Sequence, residues 1–153
     1  MMYNFGNCGI EYTRKIIVCE ESKNKFIVNN KDNKTVLKMY VDKPKDKNIN
    51  CSGLNIKGKK CDYLVIEIQK NIANFVELKG HQINQAVKQL SNSISVITNM
   101  SNNFISTNFS LINSYIVTSK VPKDVNLIKT KNKFRKDTNS KLTIKNSKIE
   151  IHI

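Results

Sequence analysis

The spacing of the apolar residues changes period at Gly80, and that change does most to decide what the chain can fold into. Before it, Phe75-Val76-Glu77-Leu78-Lys79 follows the two-residue repeat of a strand, with Glu77 and Lys79 on one face and Val76 and Leu78 on the other. After it, Ile83, Val87, Leu90, Ile94 and Ile97 recur at spacings of 4, 3, 4 and 3, which is one stripe of an amphipathic helix. The spacing predicts a helix from about Gln82 to Ser93 or a little beyond, packed on the sheet formed by the strands before it. Residues 62–68 and 73–79 read as a hairpin joined by the polar 69–74 region. Residues 110–119, centred on Tyr115, Ile116 and Val117, supply another strand.

Only five Gly and two Pro punctuate the chain, so its turns are read from Asn, Lys, Asp and Ser clusters. Residues 26–28 and 35–41 are β-rich and, separated by the turn-like 29–34, suggest a further hairpin. Residues 11–21 fit a short helix or a strand, because Ile16-Ile17-Val18 is too short a run for periodicity to arbitrate. Residues 42–60 form a polar, Lys-laden surface connection. With 153 residues and 39% hydrophobic content, the chain is expected to make one globular α/β domain. Its core occupies residues 1–122, and a basic C-terminal extension occupies 123–153. Leu142 and Ile144, then Ile149, Ile151 and Ile153, alternate as a terminal hairpin packed on the same domain would, although a basic arm is the rival reading.

Twenty-six basic residues against twelve acidic ones leave a net charge of +14, which favours a polyanionic partner, nucleic acid first among them. All but Arg14 and Arg135 of the basic residues are Lys, and the crowd of Asn and Ile beside them fits an AT-rich coding genome, so the charge alone locates no site. No apolar run approaches the roughly 18 residues that cross a bilayer, and residues 1–10 lack the basic-then-apolar order of a secretory signal. A cytoplasmic protein with no membrane partner is expected. Cys8, Cys19, Cys51 and Cys61 show neither a CxxC pair nor zinc-finger spacing to His, so reduced, mostly buried thiols without disulfides are expected.

Asp62 stands 15 positions before Glu77, and the hairpin pairing lets the two carboxylates approach each other. Converging carboxylates make a hard-oxygen site suited to Mg²⁺, which keeps several waters and takes phosphate oxygens as its other ligands. Lys79 on the same face can hold an attacking water or a phosphate. Asp62, fourteen intervening residues, then Glu77-Leu78-Lys79 resembles the signature of the PD-(D/E)xK phosphodiesterase superfamily, whose fold is restriction-endonuclease-like. That core is a helix, a three-strand meander, a second helix and a further strand, which the chain's elements resemble over residues 35–120. The resemblance implies a mixed central sheet flanked by helices, with Asp62 and Glu77 as ligands of Mg²⁺ or Mn²⁺ and Lys79 as the catalytic lysine. The residue before Asp62 is Cys61 where the family often has Pro. For the acidic residue that joins such sites from the N-terminal side, Glu20 and Glu21 are the nearest candidates, ahead of Glu11. Gln85 or Gln89 matches the helix Gln of some branches.

A metal-dependent nuclease follows as the expected function, acting on DNA ahead of RNA, with pairing into a homodimer compatible with cutting two strands. Lys57, Lys59, Lys60, Lys133, Arg135 and Lys136 are the expected phosphate contacts, against the plainer reading of solvated faces. The same plainness makes Glu77 and Lys79 an exposed charge pair worth a few tenths of a kcal/mol. Two rival classes remain: a catalytically inactive module of nuclease fold that binds nucleic acid or a protein partner, and an interaction protein whose basic surface reflects genome composition. His81 reads as a surface residue at a helix start. Neither a nucleophile elbow nor a Gly-rich phosphate loop is present.

Overall fold

The computed structural model describes residues 6–79, 82–99, 108–121, 123 and 126–153. After a 3₁₀ turn at Gly6–Cys8 come β1 (Gly9–Tyr12), β2 (Ile16–Glu21), β3 (Asn24–Asn29), β4 (Val36–Tyr40), β5 (Tyr63–Glu67) and β6 (Ile72–Lys79). Then follow α1 (Ile83–Thr98), β7 (Leu111–Thr118), α2 (Leu127–Thr138), β8 (Lys141–Asn146) and β9 (Lys148–His152). The fold is mixed α/β, with a six-stranded sheet ordered β1-β4-β5-β6-β7-β8 and a three-stranded sheet ordered β2-β3-β9. The large sheet is antiparallel from β1 to β6 and parallel from β6 to β8. In the small sheet, β3 pairs antiparallel with β2 and parallel with β9.

Both described helices lie on one face of the large sheet. The crossovers β6-α1-β7 and β7-α2-β8 step across the sheet in the same direction. Right-handed crossovers that step the same way must fall on the same side. There Leu64, Ile66, Phe75 and Ile116 meet Leu90, Ile97 and Phe134 in one apolar cluster. The small sheet covers the opposite face, where Ile17, Cys19, Phe26, Val28 and Ile149 pack on Val36, Val65, Val76 and Val117. Central strands covered on both sides read as continuous apolar runs, and all five residues of β4 are buried accordingly.

The β5–β6 hairpin forms as the sequence predicts, turning through Asn71 at φ 55°. The helix after it runs on to Thr98, since Ile94 and Ile97 continue the buried stripe. The expected β3–β4 hairpin does not form: β3 pairs with β2 and β9, while β4 pairs with β1 and β5. The chain crosses from one sheet to the other between them, and the buried Asn30 fixes the crossing. Its amide donates to the carbonyls of Arg14 and Lys34 and accepts from the Lys34 amide.

Residues 126–153 are integral to both sheets, unlike the extension expected. β8 completes the large sheet beside β7 and β9 completes the small one beside β3, so consecutive strands part at Ser147 (φ 64°) without pairing as a hairpin. Cys8 and Cys51 are joined in a disulfide, where four reduced cysteines were expected; Cys19 and Cys61 are free and buried. The pair is 43 residues apart, so no local spacing announces it. A persistent disulfide is typical of oxidising compartments and counts against the cytoplasmic expectation. Among the described residues, no helix is long and apolar enough to cross a membrane.

Candidate active site

β5 begins and β6 ends at the same end of the large sheet, and this brings Asp62 to Glu77. Asp62 immediately precedes β5, held by its amide to Val76 O at 3.1 Å and by its carbonyl, which accepts from Val41 N at 3.0 Å. Its Oδ2 accepts a hydrogen bond from Leu78 N at 2.8 Å, which aims the carboxyl at the end of β6. There it also shares a hydrogen bond with the Glu77 carboxyl. Glu77 continues the row of Ala73 and Phe75 on the helix-covered face and is 0% exposed. Its neighbours in the large sheet make that position a core position.

Burial pushes the Asp62 carboxyl up to about 6, against the lowering effect of the Leu78 N–H and the Glu77 hydrogen bond. The negative charges of Glu21 and Asp42 raise it further. Two carboxyls in contact away from water cannot both ionise cheaply, so the pair tends to retain a proton between them.

The pair lies at the base of a cavity of about 560 Å³, within the roughly 300–1,000 Å³ typical of small-molecule sites. Glu20, Glu21, Asp42, Asp46, Asp62 and Glu77 all line it, half of the chain's twelve acidic residues. Glu20 and Glu21 arrive from the end of β2, and the loop after β4 closes the far wall with Lys43, Pro44, Lys45 and Asp46. Gln89 enters from α1, nine-tenths buried, with its amide nitrogen donating to Lys60 O at 3.0 Å. Gln89 lines the same cavity, and its buried Oε1 has no hydrogen-bond partner among the described residues.

Two carboxylates and an unpartnered amide oxygen are hard donors, and a proton held between carboxylates is what a divalent cation displaces. The donor set therefore fits Mg²⁺ or Mn²⁺, for which one or two protein carboxylates suffice when waters and substrate phosphate complete the shell. Among the described residues, no three His, Cys, Asp or Glu side chains converge closely enough to hold a metal by themselves.

Of the other sequence-predicted residues, Gln85 is half-buried and does not line the cavity, so Gln89 is the helix glutamine that reaches it. Glu20 pairs with Lys25 at 3.8 Å, and Glu21 with the exposed Lys45. Glu11 is exposed on β1, away from the cavity lining. Lys79 closes β6 opposite Thr118, and its side chain lies outside the described residues, as does His81. Exposed Lys57 and Lys59 and half-buried Lys60 form a loop leading into Asp62. Asn92 of α1 clips that loop by donating to the carbonyls of Lys57 and Lys59. Lys133, Arg135 and Lys136 are exposed late in α2, which runs back from the end of β7 to the start of β8. They stand at the opposite end of the sheet from Asp62. Sequence reading missed Lys38, a buried cavity residue whose signal was a lysine inside the apolar run Val36-Leu37-Lys38-Met39-Tyr40.

Comparison of the chain with protein-family models, curated proteins and solved structures finds no match.

Proposed function

We propose that this chain is a divalent-metal-dependent nuclease of the PD-(D/E)xK type, with a restriction-endonuclease-like arrangement of β4, β5, β6, α1 and β7. The observation that carries the reading is the contact between Asp62 and Glu77, fifteen positions apart, at the base of a cavity. A buried carboxyl pair beside an apolar core costs stability, and a binding task for a cation accounts for its presence.

In this reading Asp62 and Glu77 bind Mg²⁺ or Mn²⁺, and the Leu78 N–H keeps the Asp62 carboxylate oriented. The bound ion would supply positive charge to a phosphate under attack and lower the pKa of a water. Gln89 Oε1 accepts from a water in the cavity, and Lys79 holds the attacking water or the phosphate. The exposed Lys57 and Lys59, on the loop that leads into Asp62, grip neighbouring phosphates of nucleic acid, DNA ahead of RNA. Lys133, Arg135 and Lys136, at the far end of the sheet, do not reach the same phosphates.

The test is cleavage of plasmid, single-stranded DNA and RNA by the purified chain with Mg²⁺ or Mn²⁺. Cleavage is expected, with D62N and E77Q reducing its rate by roughly 10²–10³, the scale of losing an electrostatic contact to the transition state. K79M should lose rate while keeping metal affinity. Folded wild type that cuts none of these substrates with either ion would overturn the enzymatic reading. Salt-sensitive DNA binding without metal uptake would instead favour an inactive binding module, a reading to which the engagement of Glu20 and Glu21 by lysines lends support.

A further inference from the structure

Lys38 sits mid-strand in β4, and its side chain faces the small sheet, since Leu37 and Met39 on either side belong to the helix-side core. It is 8% exposed, yet it lines the same cavity as Asp62 and Glu77. Its Nζ donates to Val18 O of β2 at 2.8 Å and stands 5.4 Å and 5.3 Å from the ring centres of Tyr40 and Tyr63. The rings offer the ammonium their electron-rich faces.

An ammonium carries three N–H donors, and burying it is costly unless anions or acceptors meet it. Among the described residues Val18 O is the one hydrogen-bond acceptor of Nζ, and no carboxylate lies within ion-pair distance. The acidic residues that reach the cavity from β2 are engaged elsewhere, Glu20 by Lys25 and Glu21 by Lys45. Lys38 is thus a preorganised cation whose side chain is fixed by a carbonyl and two rings and which lines a cavity. A cation poised in this way suits an anion delivered from outside the protein.

We propose that Lys38 binds a phosphate oxygen of the substrate in this cavity. The inference rests on the nuclease reading for the identity of the substrate, and on the one cavity that Lys38 lines together with Asp62 and Glu77. The carbonyl of Val18 sets where the amine stands, so β2 contributes to the site through a lysine it does not carry.

The experiment measures binding of the dinucleotide TpT and of inorganic phosphate, with and without Mg²⁺, to wild type, K38M and K38R whose folding is checked by circular dichroism. Folded K38M should lose about tenfold or more in TpT affinity, as expected for removal of a charged hydrogen bond. Its Mn²⁺ affinity should stay within about twofold of wild type, and K38R should recover most of the TpT binding. A strut that merely ties β4 to β2 would leave TpT affinity unchanged in folded K38M, and that result overturns the proposal. If K38M does not fold, the Lys38 side-chain resonance of wild type is titrated with phosphate. Movement of that resonance supports the proposal and its indifference overturns it. Loss of Mn²⁺ binding in wild type would sink the metal site instead, and the Mg²⁺-free phosphate arm separates the two failures.

Discussion

Glu77 of β6 and Ile116 of β7 are register partners in adjacent parallel strands, both 0% exposed. They occupy equivalent places with opposite consequences. Ile116 belongs to the cluster beneath the helices, and burying such a side chain contributes about 1.5–3 kcal/mol. Glu77 puts a carboxyl in the same row, where desolvation opposes it, and the contact with Asp62 offsets part of that cost. β7 is built to hold the sheet together, whereas the last turn of the pleat in β6 sacrifices stability for a polar group at the cavity. The same division separates the two ends of the molecule. Half of its acidic residues line the cavity, while exposed lysines and an arginine stand on the late turns of α2.

Substitutions at the two partners should separate these roles. I116A opens a void in the helix-side core and is expected to lower unfolding free energy by about 2–5 kcal/mol, read by chemical denaturation, without changing Mn²⁺ affinity in the folded fraction. A loss below about 1 kcal/mol would mean that the row is not packed as described.

Asp62 should make the metal-free protein pH-sensitive. Its folded pKa, raised from 3.8 to about 6, exceeds its unfolded value, so the folded state holds the proton more tightly. The resulting stability is fully present below about pH 4 and is lost as pH rises through about 6. Between pH 5 and pH 7.5 in EDTA, wild type should lose on the order of 1–2 kcal/mol relative to D62N. Parallel stability profiles for the two proteins would show that Asp62 ionises in the fold as freely as in the unfolded chain. The smallest effect is expected from E77M, which removes the buried carboxyl at similar volume: its metal-free stability should match or exceed wild type by up to about 1 kcal/mol, with cleavage abolished. A large drop in melting temperature would mean that Glu77 serves the fold.

The central unit was legible because each of its signals is local. Glu77 and Lys79 alternate with Val76 and Leu78, Gly80 follows, and the stripe from Ile83 to Ile97 changes the period. Asp62 was legible as a partner of Glu77 because a hairpin fixes which residues face each other. Partners set by the whole fold were not. The apolar alternation of β3, β8 and β9 marks each as a strand, but it cannot say that β9 crosses to β3 while β8 stays beside β7. α2 went unread because Leu127, Ile128 and Phe134 are too few among lysines to show a helical stripe, and Phe134 alone is fully buried there. The acidic cavity gathers Glu20, Glu21, Asp42 and Asp46 from separate segments, and their sequence separation hides it. Lys38 was hidden differently: a lysine inside the apolar run Val36-Leu37-Lys38-Met39-Tyr40 does not say which face it takes, and its burial follows only once both faces of β4 are covered.

The most direct test is isothermal titration of the metal-free chain with Mn²⁺ at pH 7.5. One saturable site is expected in wild type and K79M, lost or weakened by about tenfold or more in D62N and E77Q. Equal Mn²⁺ affinity in wild type, D62N and E77Q, or no uptake by folded wild type, would contradict the assignment of the two carboxylates to a cation.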